Sequence, residues 1–185
     1  EGATACAECP AGAHCAEGAS AARLCAAGSY RSTTGATGPS DCGACPAGSA
    51  CATGSTSAVP CEAGTVTVSD AASICAACDA GAYQPASGQT ACAQVPAGSY
   101  SLARAIAATA CSSGQFSATG GASACEFCAS GTYQSATGQT ACFDCLPGAF
   151  CRAGASAPTA CDSGSYRGLT GGQSQADCEA CPAGS

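Results

Sequence analysis

The sequence predicts an elongated array of small disulfide-rich repeats, with few short β-hairpins and little regular secondary structure. Three observations predict it. Twenty of the 185 residues are Cys and 25 are Gly, and a Cys content above about 8–10% marks a scaffold held by cross-links. Leu, Ile, Val and Phe together number only 14, far below the roughly 20% that an ordinary core requires. The 46% of hydrophobic residues is mostly Ala and Cys, which bury little area each. Finally, one cysteine-framed phrase is written twice: CAACDAGAYQPASGQTAC from Cys75 to Cys92 and CEFCASGTYQSATGQTAC from Cys125 to Cys142. A repeated phrase of this kind is the signature of a repeat architecture.

Every cysteine obeys one of two rules. Thirteen open Cys-x-x-Gly: Cys9, Cys15, Cys25, Cys45, Cys51, Cys61, Cys78, Cys111, Cys128, Cys145, Cys151, Cys161 and Cys181. The other seven open Cys-x-x-Cys or, once, Cys-x-x-Val. Two unit lengths follow. Residues 1–41 and 42–74 are long repeats, residues 75–91 are a short one, and residues 92–124 are a variant long repeat lacking one disulfide. Residues 125–141 are short again, residues 142–177 long, and residues 178–185 begin a further repeat. The glycine after each cysteine implies a turn that needs positive φ or a close backbone approach.

The variant repeat carries the pairing argument. Val95 stands where other long repeats have Cys9, Cys45 or Cys145, and Ser101 stands where they have Cys15, Cys51 or Cys151. Two cysteines are missing together while their neighbours remain, as expected if those two positions bond to each other. Connectivity is not normally readable from sequence, but this internal comparison yields a ladder. Its small loops are Cys9–Cys15, Cys45–Cys51 and Cys145–Cys151. Its larger loops are Cys25–Cys42, Cys61–Cys75, Cys78–Cys92, Cys111–Cys125, Cys128–Cys142 and Cys161–Cys178. Cys6 and Cys181 are left needing partners outside the chain, which reads as a window of a longer array. A rival scheme, with Cys45–Cys61 and Cys51–Cys75, would strand Cys111 and Cys125 or force them into another pairing. Each loop stabilises by about 2–3 kcal/mol on the loop-entropy account.

The larger side chains also keep step with the cysteines. Tyr30, Tyr83, Tyr100, Phe116, Tyr133, Phe150 and Tyr166 all lie five residues after their unit's Cys or Val, and His14 shares that offset. Flat side chains there are expected to pack over the disulfide of their own or the adjacent unit, the nearest thing to a core in this chain. An exposed aromatic ladder for carbohydrate is the competing reading. The only helix-prone stretch is residues 101–108, inside the variant repeat, where the missing disulfide suggests a local hinge or a docking spot.

Charge and composition exclude several functions. The formal charge is −7 and all five basic residues are Arg, so no basic run marks a partner nucleic acid or an anionic lipid surface. No apolar run approaches the roughly 20 residues of a membrane span, so this segment is not expected to insert directly into a membrane. The Cys-x-x-Cys pairs invite a zinc reading, and Cys125-x-x-Cys128 with Cys142-x-x-Cys145 even has near-ribbon spacing. They belong, however, to a periodic array with other cysteines at spacings unsuited to metal, and regular cysteines in such numbers persist as disulfides in an oxidising compartment. No metal, no cofactor and no catalytic residues are therefore expected, and the chain does not read as an enzyme. His14 has no oriented partner for base catalysis, and the twelve acids read as solvated surface. Asn is absent, so N-glycosylation is excluded. O-linked glycans could sit on loops such as Ser55-Thr56-Ser57, and modified proline could occur around Pro60 and Pro158.

The phrases Cys-x-x-Cys-Pro-x-Gly-x-x-Cys and Cys-x-x-Cys-x-x-Gly-x-Tyr-Gln-x-x-x-Gly-Gln-Thr-x-Cys resemble the ephrin-receptor-like cysteine-rich repeat. That repeat is related in style to tumour-necrosis-factor-receptor and EGF modules. The resemblance covers essentially the whole chain. It implies an extracellular spacer or interaction surface, at the cell surface or secreted. Abundant Ala and Gly with no Lys, Asn, Met or Trp looks like a GC-biased algal coding style, and long arrays of such repeats look similar to mastigoneme-type glycoproteins of algal flagellar filaments. The function implied is structural: a disulfide-laddered rod in a filament or flagellar surface appendage, with other copies or other filament proteins as partners. The alternative is the ectodomain stalk or ligand-binding module of a cell-surface receptor.

Overall fold

The fold is built from one local event repeated along the chain, a cysteine followed by a tight turn. In a computed structural model that describes residues 8–182, the glycine of each described Cys-x-x-Gly turn takes a left-handed φ, for example +86° at Gly28 and +78° at Gly114. A residue with a Cβ is strained there. The chain then enters a two-residue strand that pairs with the two residues just before a later cysteine. Ser29–Tyr30 pairs with Gly43–Ala44, Thr65–Val66 with Ala76–Ala77, and Thr132–Tyr133 with Asp144 and Phe143. Twenty such strands make ten two-stranded antiparallel sheets among the described residues. The molecule is a small disulfide-rich repeat fold of β-hairpins.

Helix is almost absent from the described residues, being confined to two three-residue 3-10 turns, Pro39–Asp41 and Gln175–Asp177. The helix-prone stretch at 101–108 is not helical. Arg104 there takes φ +62°, and Ala105 makes a parallel bridge to Tyr83. Tertiary pairing has overridden a weak local propensity.

The structural period is finer than the long and short units of the sequence. It runs from one anchor to the next, Cys9, Cys25, Cys45, Cys61, Cys78, Val95, Cys111, Cys128, Cys145 and Cys161, a spacing of 16, 17 or 20 residues, and every anchor but the half-buried Cys161 is buried. We call each interval a rung. A long unit contains two rungs and a short unit one.

Three backbone hydrogen bonds recur from rung to rung. Each anchor N–H donates to the turn-glycine carbonyl of the preceding rung, as Cys45 does to Gly28 at 2.9 Å and Cys145 to Gly131 at 2.8 Å. Each turn-glycine N–H donates to the carbonyl of the residue six after the next anchor, as Gly114 does to Gln134 at 2.7 Å. Eight of the anchor carbonyls, those of Cys78 and Cys161 excepted, accept from a residue in the next rung, as Cys128 does from Gly154 at 2.8 Å. Main-chain groups thus satisfy one another where no large sheet exists to do so.

The chain divides into two compact units, Glu1–Cys78 with Gln84–Ala93, and Asp79–Tyr83 with Gln94–Ser185. Both are cored by cysteine. Cys25, Cys45 and Cys51 are fully buried in the first, and Cys111, Cys128, Cys145 and Cys151 in the second. Backbone also packs on backbone. A Cβ on Gly28 would lie against the Ala71 carbonyl, one on Gly48 against Gly88, and one on Gly98 against Gly138.

Candidate functional site

The anchors and the residues six places after them form the molecule's one recurrent chemical site. Nine disulfides occur in three sizes. Cys9–Cys15, Cys45–Cys51 and Cys145–Cys151 each join an anchor to the residue six after it. Cys61–Cys75, Cys78–Cys92, Cys111–Cys125 and Cys128–Cys142 span 14 residues. Cys25–Cys42 and Cys161–Cys178 span 17. These are the nine pairs of the ladder set out above, and Cα–Cα distances of 5.7–5.9 Å suit unstrained bridging. Cys181 is exposed and outside any disulfide; Cys6 lies outside the described residues.

Where the anchor bonds further along the chain, the sixth position is free for another residue, and its identity sets how the loop closes. Gln134, 1% exposed, donates through Nε2 to the Ala141 carbonyl at 2.7 Å and accepts from the Ala136 N–H at 3.0 Å. Gln84 repeats this with Ala91 and Ala86. Buried Thr67 donates to the Ser49 carbonyl at 3.3 Å, and buried Ser117 to the Thr119 carbonyl at 3.0 Å. The two 17-residue loops use arginine. Arg31 donates through Nη1 to the Asp41 carbonyl, and Arg167 likewise to Asp177, both at 3.0 Å.

Those two aspartates are a correction to the reading of all acids as solvated surface. Asp41 Oδ2 accepts from the Thr37 N–H at 2.8 Å and the Gly38 N–H at 3.1 Å. Asp177 Oδ2 accepts from the Gln173 N–H at 2.7 Å and the Ser174 N–H at 3.0 Å. Hydrogen bonds from Thr37 and then Gly38 hold the Asp41 carboxyl below its usual range, and those from Gln173 and then Ser174 do so for Asp177. The carboxylate is the fastener of the longer loop. Its sequence signal is the coincidence of Arg at the sixth position with Asp just before the closing cysteine.

No known family profile and no curated protein matches this chain. What can be said of the site therefore comes from its own geometry.

The variant rung is closed without sulfur. Val95 is 1% exposed and Ser101 2%. The Ser101 hydroxyl donates to the Ala82 carbonyl at 3.0 Å, while Val95 donates to the Gly81 carbonyl and accepts from the Gly121 N–H. The aromatic positions divide. Phe150 is buried; Tyr30, Tyr83, Tyr100, Phe116 and Tyr133 are half-buried. Tyr133 packs on the cluster of Cys145, Ala149 and Cys151, which is the disulfide of the adjacent unit, and its ring lies 6.2 Å from that of Phe143. Tyr166 departs from the expected packing role: it is 45% exposed. A hydrogen bond to the Glu179 carboxylate across its hairpin raises its pKa.

Among the described residues no group of three or more His, Cys, Asp or Glu side chains could hold a metal ion. No described helix is long and apolar enough to cross a membrane. Nine intrachain disulfides fit a secreted or extracellular protein. The arrangement holds a backbone together.

Proposed function

We propose that the chain is a structural, non-catalytic segment of a secreted or cell-surface glycoprotein, acting as a disulfide-laddered spacer within a filament or flagellar appendage of the mastigoneme type. The observation that supports this reading most is the recurrence of the same backbone hydrogen bonds in successive rungs. They use main-chain groups and one buried anchor, so rungs can be added without redesigning side chains, as in other arrays stabilised by nearest neighbours. Other copies of the chain or other filament proteins are the partners, and O-linked glycans supply surface polarity where only 9% of residues are charged.

Non-reducing peptide mapping of native material, combined with immuno-electron microscopy, tests this. The expected result is neighbour-paired disulfides, hexose or pentose mass on Ser, Thr or Pro, and labelling at regular intervals along a filament. Labelling confined to the plasma membrane, on a parent chain with a membrane span and a cytoplasmic domain, would establish the receptor alternative instead.

A further inference from the structure

A cleft of about 450 Å³ opens beside the first hairpin, bordered by His14, Glu17, Arg23, Thr37 and Pro39. Its polar groups converge for a reason visible in the register. His14 and Arg23 are directly opposite on the antiparallel pair, which places both side chains on one face of the hairpin. Glu17 lies in the loop between those strands, and Thr37 and Pro39 come from the next rung, where Asp41 holds Thr37 by its N–H and hydroxyl at 2.8 and 3.2 Å. The wall is thus braced from behind.

An internal control shows that this chemistry is not imposed by the fold. Residues 142–177 repeat the same long unit, and there Phe150 replaces His14, Ala153 replaces Glu17, Thr159 replaces Arg23 and Gln173 replaces Thr37. The later copy has a guanidinium of its own, Arg152 at the place of Ala16, but neither imidazole nor carboxylate; the first carries all three around a cavity whose size suits a small ligand.

We propose that this cleft binds an acidic sugar, a saccharide unit bearing one carboxylate and neighbouring hydroxyls. Arg23 offers the planar fork that matches a carboxylate. His14 offers a ring N–H in either protonation state. Glu17 has only acceptors when ionised and calls for a hydroxyl donor, while Pro39 gives the sugar ring an apolar face. A neutral sugar leaves Arg23 without its anion, and an inorganic anion meets Glu17 with no proton to offer. A uronic acid satisfies both groups. The inference stands on the cleft alone and does not require the filament reading.

His14 is the single histidine in the chain, so its imidazole NMR signals report on the cleft without ambiguity. D-galacturonate, D-galactose and sodium sulfate would each be titrated into the isotopically labelled full chain. The expected result is a saturable shift of the His14 signals with galacturonate, at a Kd of about 1 mM. Binding should weaken about tenfold with galactose or in Arg23→Gln. Arg23 is exposed, so that variant keeps its fold, checked by unchanged signals elsewhere. Glu17→Gln should narrow the gap between galacturonate and sulfate. The proposal is overturned if galacturonate leaves His14 unmoved, if sulfate binds as well as galacturonate, or if Arg23→Gln binds like the parent.

Discussion

The rung that opens at Val95 and the rung that opens at Cys145 have the same backbone and different fastenings. In both, the anchor is buried, its N–H reaches the glycine of the preceding rung and its carbonyl accepts from the rung that follows. One is closed by the Cys145–Cys151 bridge; in the other Val95 and Ser101 are buried without a bond between them, and the Ser101 hydroxyl donates to the Ala82 carbonyl of the preceding rung. The difference teaches that burial of the anchor and the backbone hydrogen bonds define the rung, and that sulfur locks a geometry the chain can also reach without it. Both positions of the missing bridge are buried, and the Val95 N–H and carbonyl are both hydrogen-bonded.

The largest predicted effect separates the two turn glycines. A methyl on Gly98 would strike the Gly138 carbonyl, whereas one on Gly148 meets nothing within 4 Å, though both take positive φ. Gly98→Ala should cost about 3 kcal/mol, combining steric displacement with backbone strain. Gly148→Ala should cost about 1 kcal/mol from strain alone. Urea titration of each variant measures the gap, and equal losses would refute the backbone-on-backbone contact.

Exchanging the fastenings comes next. Cys145→Val with Cys151→Ser should keep the fold and lose about 2 kcal/mol, as the entropy of a six-residue loop implies. Val95→Cys with Ser101→Cys should gain a similar amount and form a tenth disulfide, seen by intact mass as the loss of two hydrogens. Failure of that pair to oxidise would show that the two rungs are not equivalent.

A smaller difference sits at the second left-handed position. Arg104 takes φ +62° where the Cys145 rung has Gly154 at φ +72°. Arg104→Gly should relieve strain and stabilise by about 0.5 kcal/mol after the added entropy of the unfolded chain. Hydrogen exchange at the Gly121 amide, which donates to Val95, reads this locally.

The smallest effect is a pH dependence that only the arginine-closed loops should show. The lowered pKa values of Asp41 and Asp177 mean that their contribution is present above the ordinary carboxylate range and is lost as pH falls through the lowered values. Amides of Gly38 and Ser174 should therefore exchange faster in acid than at neutral pH, relative to Gly138. Asp177→Asn should flatten that dependence at Ser174 and leave Gly38 unchanged.

The hairpin array and its disulfide pairs were legible because the cysteines are nearly the only residues with a core to make, and because Val95 and Ser101 expose which two positions answer each other. The sixth-position residues were not legible. Gln134, Ser117 and Arg167 look like surface residues by type, yet Gln134 is only 1% exposed. Asp41 and Asp177 look like surface acids by type, and only their shared spacing from Arg31 and Arg167 and from the closing Cys42 and Cys178 sets them apart. Tyr166 shows the converse. It keeps the aromatic register of Tyr133, yet stands exposed, because register places a side chain on a face without supplying what covers it.

The nine bridges have one further property in common: each joins a cysteine to the very next cysteine along the chain, from Cys9–Cys15 to Cys161–Cys178. No bridge encloses or crosses another. A chain entering an oxidising compartment from its N-terminus therefore presents cysteines in the order in which they must pair. Each thiol meets its partner before any competitor has emerged, so the array can be oxidised as it is delivered, one closed loop behind the next, without the reshuffling that interlaced bridges demand. Length then adds no new pairing problem, and a hundred rungs are as easy to wire as ten.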